Sequence, residues 1–174
     1  MKLTNVAFSA ITALIASVLV ASAGPSNTEQ FSASLAGANE VPPINSAGTA
    51  DFNMTIRDGM ITFSLSFSDL TSPLVVSHLH FAPSKVAGGV MIFLCGGGNQ
   101  PACPATTSGN ITGTITAANV TGPSAQGITA GDLDSALQAV RDGISYANMH
   151  TTNFPGGEIR GNVQRGDGHG NAGE

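Results

Sequence analysis

The sequence predicts an all-β fold, an antiparallel β-sandwich or Greek-key barrel of about eight strands with one short helix. Three observations carry that prediction. The 174-residue chain is 41% hydrophobic and only 10% charged, and its 22 glycines and 9 prolines suit short strands joined by tight turns in one domain. Stretches of apolar/polar alternation recur along it, ITFSLSFS being the clearest. One segment alone, ITAGDLDSALQAVRDG, has the i, i+3, i+4, i+7 apolar spacing of a helix face.

The chain opens with MKLTNVAFSAITALIASVLVASA, in which a lysine precedes a small and apolar run that ends in Ala21-Ser22-Ala23. This A-x-A pattern is the one a signal peptidase accepts, so residues 1–23 are expected to be a signal peptide and the mature protein to be secreted, extracellular or periplasmic. The alternative, an uncleaved anchor, is opposed by Ser9, Thr12 and Ser17, which interrupt a stretch already short for a bilayer. Residues 24–30 read as a mobile leader, residues 31–165 as the domain and the Gly-rich residues 166–174 as a flexible tail. The RGD triplet in that tail is too short to identify an adhesion motif.

FSASL places Phe31, Ala33 and Leu35 on one face of a first strand. GANEVPPINSAG follows as a connection or sheet edge, because Pro42 and Pro43 cannot donate to a ladder. TADFNMTI turns Ala50, Phe52, Met54 and Ile56 inward, and Arg57-Asp58-Gly59 supplies a hairpin turn into ITFSLSFS, with Ile61, Phe63, Leu65 and Phe67 inward. LVVSHLHFAP is the next strand. GVMIFLC is a continuous apolar run, as expected of a central strand covered on both sides. NITGTITAANV is a further strand, with Gly113 at a bend. In the helical segment, Leu133, Ala136, Leu137 and Val140 form the apolar face, Thr129 and Asp132 resemble a capping box, and Gly143 suits the left-handed cap. ISYANMHT and GEIRGNVQ complete the domain.

Charge narrows the function. Without residues 1–23 the chain keeps five basic against 11 acidic residues, a formal charge of −6. Lys85, Arg57, Arg141, Arg160 and Arg165 are scattered, which argues against nucleic acid and against a membrane surface as partner. No phosphate-cradling loop with its lysine and no G-x-S-x-G elbow is present in the sequence. Cys95 and Cys103 are the only cysteines, and an even pair in an exported chain is read as a disulfide pinning the loop GGGNQPA. The competing reading, two thiolate metal ligands, needs a reducing compartment or more partners nearby.

FSASLAGANEVPPINSAGTADF, SHLHFAP with GGVMIFLC, and ISYANMHTTNFPGGEIRGNV together resemble the CHRD domain, the module named after the chordin family. The resemblance spans roughly residues 31–164 and implies a β-rich extracellular domain, found alone in small secreted microbial proteins and in tandem in animal chordins. In chordin the surrounding protein binds growth factors of the bone morphogenetic type, and carrying that partner over would rest on analogy alone. The resemblance implies no settled biochemical role for the single-domain forms, and a binding module whose partner is an extracellular protein, a surface polymer or a metal ion is the reading drawn from the loops and the histidine-bearing face.

Two histidines, His78 and His80, stand one residue apart in SHLHFAP, in a chain that has four. Positions i and i+2 of a strand share a face, so the two imidazoles can chelate together. The same rule puts Tyr146, Asn148 and His150 on one face of ISYANMHT, and if the two strands are neighbours His150 or Tyr146 completes a three- or four-ligand site for copper or zinc. The His-x-His strand also resembles the copper-ligand strand of Cu/Zn superoxide dismutases. That pattern needs further histidines and a zinc aspartate, and only His150 and the tail residue His169 remain here. In the competing, purely structural reading the pair hydrogen-bonds to backbone or carboxylates and His150 packs on the NFPGG turn.

Glu158 and Arg160, at i and i+2, offer a catalytic acid with an electrophilic partner or a structural ion pair with each other or with Glu40 of the EVPP loop, and with no nucleophile and base evident the ion pair that fastens the last strand is expected. Sequons at Asn53, Asn110 and Asn119 would carry glycans only in a eukaryote. Two functions remain in play: a non-enzymatic extracellular binding module, with a histidine site for copper or zinc, and a copper-dependent redox enzyme using His78, His80 and His150 with Tyr146 nearby.

Overall fold

The computed structural model describes residues 27–166. The expected signal peptide, residues 24–26 of the leader, residues 167–174 of the tail and His169 lie outside them. The described chain folds as β1 (Thr28–Ala36), β2 (Thr49–Arg57), β3 (Met60–Ser68), β4 (Leu74–Phe81), β5 (Gly89–Cys95), β6 (Gly109–Ile115), α1 (Leu133–Arg141), β7 (Ser145–Thr151), β8 (Ile159–Asn162) and β9 (Gln164–Arg165). The strands form one antiparallel sheet in the order β5-β4-β7-β8-β1-β2-β3-β6, with β9 paired to β1. The sheet curls until its ends nearly meet: Ile92 of β5 bridges to Val120, and the Thr121 amide donates to the Met91 carbonyl at 2.9 Å. The result is a barrel-like all-β domain with a single helix.

Alternation explains the left half. Ala50, Phe52, Met54 and Ile56 of β2 and Ile61, Phe63, Leu65 and Phe67 of β3 are all buried, and their serine, threonine and asparagine neighbours face outward. Asp58 and Gly59 both take positive φ, 50° and 80°, the two-residue hairpin turn that matches strand twist. Leu35, Phe52 and Leu65 are 2% exposed or less and meet Leu79, Met149 and Ile159 from the other half in one core.

Three sequence expectations are corrected. Thr28–Gln30, assigned to the leader, pair with Thr55–Arg57 as the start of β1. GVMIFLC is an end strand of the sheet rather than a central one. Its apolar run is explained by the segment around Val120, which covers the edge that no strand pairs with in full. The helix is capped by Asp132 itself, whose side chain accepts from the Ser135 amide at 3.1 Å, in place of a Thr129 capping box. Arg141, in the last turn, donates to Glu29 of β1 at 2.8 and 3.0 Å and fixes the helix to the sheet.

Candidate functional site

β4 and β7 are neighbours, although 63 residues of chain, 82–144, separate them. Their register sets His78 opposite Asn148, His80 opposite Tyr146, and Val76 opposite His150. Leu79, Ala147 and Met149 point into the core, so the histidines occupy the other face of the sheet. That face would normally meet water, yet His78, His80 and His150 are only 6%, 8% and 8% exposed. The segments after β4 and β7 supply carbonyls there: the Gly88 oxygen lies 2.9 Å from His80 Nδ1, and the Pro155 oxygen lies 3.0 Å from His150 Nδ1.

The three rings converge. Centroids of His78 and His80 are 4.6 Å apart, those of His78 and His150 4.6 Å, and those of His80 and His150 6.1 Å. One ring nitrogen from each lies within 4.8 Å of the others. The three buried ring nitrogens with no hydrogen-bond partner are His78 Nδ1, His80 Nε2 and His150 Nε2. Buried polar atoms are nearly always partnered, so three orphans in one cluster need an explanation. The carbonyls supply half of it. An imidazole that donates Nδ1–H to a backbone oxygen carries its lone pair on Nε2, so His80 and His150 turn a free lone pair toward the cluster. The bonds expected for a purely structural role and the geometry of a ligand set are therefore present together.

Electrostatics keep these imidazoles neutral. Burial pushes His78 down to about 2, with His150 and His80 adding to the effect. His80 is pushed down to about 4 by burial, against the Gly88 carbonyl, with His150 and Arg160 lowering it further. His150 is lowered by burial against the pull of the Pro155 carbonyl. A neutral imidazole is also the only form that can ligate a metal.

Aromatic rings enclose the cluster. Phe93 of β5 presents its ring edge-on to His78 at 5.1 Å. Tyr146 stacks on His80, and its hydroxyl accepts from the Gly88 amide at 3.2 Å. The Arg160 guanidinium lies 4.4 Å from the Tyr146 ring centroid. Behind Phe93 runs the loop closed by the disulfide between Cys95 and Cys103. Gly97 and Gly98 lie so close to the Phe93 ring that a Cβ on either would come within 2.4 and 2.7 Å of it.

Arg160 and Glu158 part company. Arg160 pairs with Glu40 at 3.5 Å and donates to the Asn39 and Val86 carbonyls at 2.9 and 3.0 Å. Burial raises the Glu40 carboxyl, opposed chiefly by Arg160. Glu158 precedes β8, so the i, i+2 rule of a strand does not apply to it. Its carboxylate accepts from Ser46 Oγ at 2.7 Å, the Thr71 amide at 2.8 Å, Thr71 Oγ1 at 2.9 Å and Thr151 Oγ1. Burial raises this carboxyl, and the hydrogen bonds outweigh it, so the net displacement is downward. Glu158 joins three connections, and Arg160 with Glu40 braces the flank of the histidine cluster.

Sequence reasoning missed Phe93 and the carbonyls of Gly88 and Pro155. The carbonyls have no side-chain signal to read. Comparisons with curated proteins and with solved structures found no match. The CHRD domain matches residues 31–163, which takes in the sheet from Phe31 of β1 through β8, the three histidines and the Glu40–Arg160 pair. This chain therefore belongs to the CHRD domain family.

Proposed function

We propose that the protein is a secreted binding module that holds one copper or zinc ion on His78, His80 and His150. The observation that carries this reading is the set of three buried, unpartnered ring nitrogens, two of them oriented by carbonyls on the opposite side of the ring. Nitrogens bound at about 2.1 Å around one ion stand roughly 3.4 Å apart, so the observed spacing closes with small ring rotations. Imidazole donors suit copper and zinc among the ions available outside a cell. The N-terminal A-x-A pattern supports export, and no described helix is long and apolar enough to cross a membrane. Family membership supports a binding role with a protein or surface polymer as partner.

The second reading, a copper redox enzyme, draws on the ring of Tyr146 stacked against His80. The two are separated by assaying superoxide turnover on the copper-loaded protein. Rates no higher than those of free copper favour the binding module. The metal reading is tested by native mass spectrometry of the exported protein after incubation with copper or zinc and removal of excess. One ion per chain is expected, and none would overturn it.

A further inference from the structure

The identity of the ion can be narrowed from charge and coordination number, an inference that rests on the tri-histidine reading above. Imidazoles are neutral ligands, so an ion among them keeps its full charge. A carboxylate or thiolate in the cluster would offset part of that charge. Among the described residues the group that could hold an ion is made of His78, His80 and His150 alone.

The formal charge stacked toward the cluster is a cation and offsets none of an ion's charge. Arg160 lies over the ring of Tyr146, which in turn lies over His80, an arrangement of cation, ring and ligand in series. Glu40 is paired with that guanidinium. The cost of bringing an ion out of water grows with the square of its charge, so a divalent ion costs roughly four times as much as a univalent one of similar size.

Coordination number points the same way. Zn(II) completes four ligands and Cu(II) prefers a tetragonal set, so either would need a donor beyond the three imidazoles. The rings are nearly sealed from solvent, with Phe93 edge-on to His78 and Tyr146 flat on His80. Among the described residues a cleft of about 790 Å³ opens between Ser34, Asn39, Glu40, Lys85 and Asn162, with none of the three histidines in its lining. The four other principal clefts are lined by other residues too. No chamber for an exogenous fourth ligand adjoins the cluster among these clefts.

We infer that the cluster is a three-coordinate seat for univalent copper, Cu(I), and discriminates against Zn(II) and Cu(II). Cu(I) has the filled d shell of Zn(II) at half the charge, so three neutral nitrogens satisfy it without a fourth donor, and rings nearly sealed from solvent admit little of the water that would stabilise a divalent ion.

The test is anaerobic titration of the protein with Cu(I) against a chromogenic Cu(I) chelator, with Ag(I) as a redox-inert stand-in and Zn(II) and Cu(II) titrated in parallel. One Cu(I) or Ag(I) per chain is expected, held at least about 100-fold more tightly than Zn(II). X-ray absorption of the copper-loaded protein should show three nitrogen donors and no fourth light atom. Zn(II) or Cu(II) bound as tightly as Cu(I), or a fourth donor on the copper, would overturn this inference and leave the tri-histidine site standing. Failure of all four ions to saturate a site would overturn both.

Discussion

The ring of Tyr146 lies parallel to the imidazole of His80, 3° from coplanar and 4.6 Å between centroids, and its hydroxyl accepts from the amide of Gly88, whose carbonyl lies 2.9 Å from the same imidazole. One residue thus fixes both the plane of His80 and the loop that selects its tautomer. Tyr146→Phe keeps the stack and loses one hydrogen bond, so it should cost about 1 kcal/mol in denaturant unfolding and leave copper affinity within about threefold. Tyr146→Ala should cost several-fold more in both measurements. Equal copper affinities in the two variants would show that the stack does not orient His80.

Arg160→Ala leaves the Glu40 carboxylate and the carbonyls of Asn39 and Val86 without their buried donor. A loss on the order of 3 kcal/mol or more is expected, read from the urea midpoint at constant slope. A variant that unfolds like the parent but has lost Cu(I) binding would make Arg160 a functional residue instead of a brace.

The disulfide should matter locally. Replacing Cys95 and Cys103 together by alanine removes a short loop closure, roughly 2.5 kcal/mol in the chain-entropy account, along with the packing of Cys95 at the edge of a core that is otherwise built from the strands. Far-ultraviolet circular dichroism should be unchanged at 25 °C. Gly97→Ala, by contrast, places a methyl 2.4 Å from the Phe93 ring and pushes that ring toward His78. Copper affinity should fall about tenfold or more with the disulfide intact. Unchanged affinity would show that Phe93 is not part of the seat.

The metal-free protein should be acid-labile. His78 and His80 are pushed down to about 2 and 4 and His150 is lowered too, all chiefly by burial. Unfolded histidines protonate near 6.5. Stability is therefore fully present above about pH 6.5 and is lost as pH falls toward the folded values, because the unfolded chain takes up protons that the folded one refuses. Between about pH 7 and pH 5 the loss should be on the order of 4 kcal/mol, read by urea unfolding at each pH. His78→Gln should flatten the dependence, and a parent already flat across that window would contradict the burial of neutral imidazoles.

Legibility in the sequence followed the range of the interactions. Phe52, Met54, Phe63 and Leu65 announce their strands because alternation is a local property of the chain. The shared face of His78 and His80 is equally local. The pairing of β4 with β7 is not: nothing in SHLHF or in YANMH specifies the other, and His150 joined the site in the sequence only on the condition that the strands were neighbours. Burial of an outward face is the least legible feature, since it depends on backbone carbonyls at Gly88 and Pro155 that carry no side-chain signature. Glu158 shows the converse failure, a residue two before Arg160 that does not share its face because the strand starts one residue later.

The central claim, that His78, His80 and His150 form one metal seat, is tested most directly by comparing copper binding in four proteins: the parent, His78→Gln, His150→Gln and His169→Ala, each checked for folding by circular dichroism. One site per chain is expected in the parent and in His169→Ala, with affinity lowered at least about 100-fold in each of the other two, because losing one of three donors removes the chelate geometry. No saturable binding in the parent, or binding that disappears only with His169, would contradict the account.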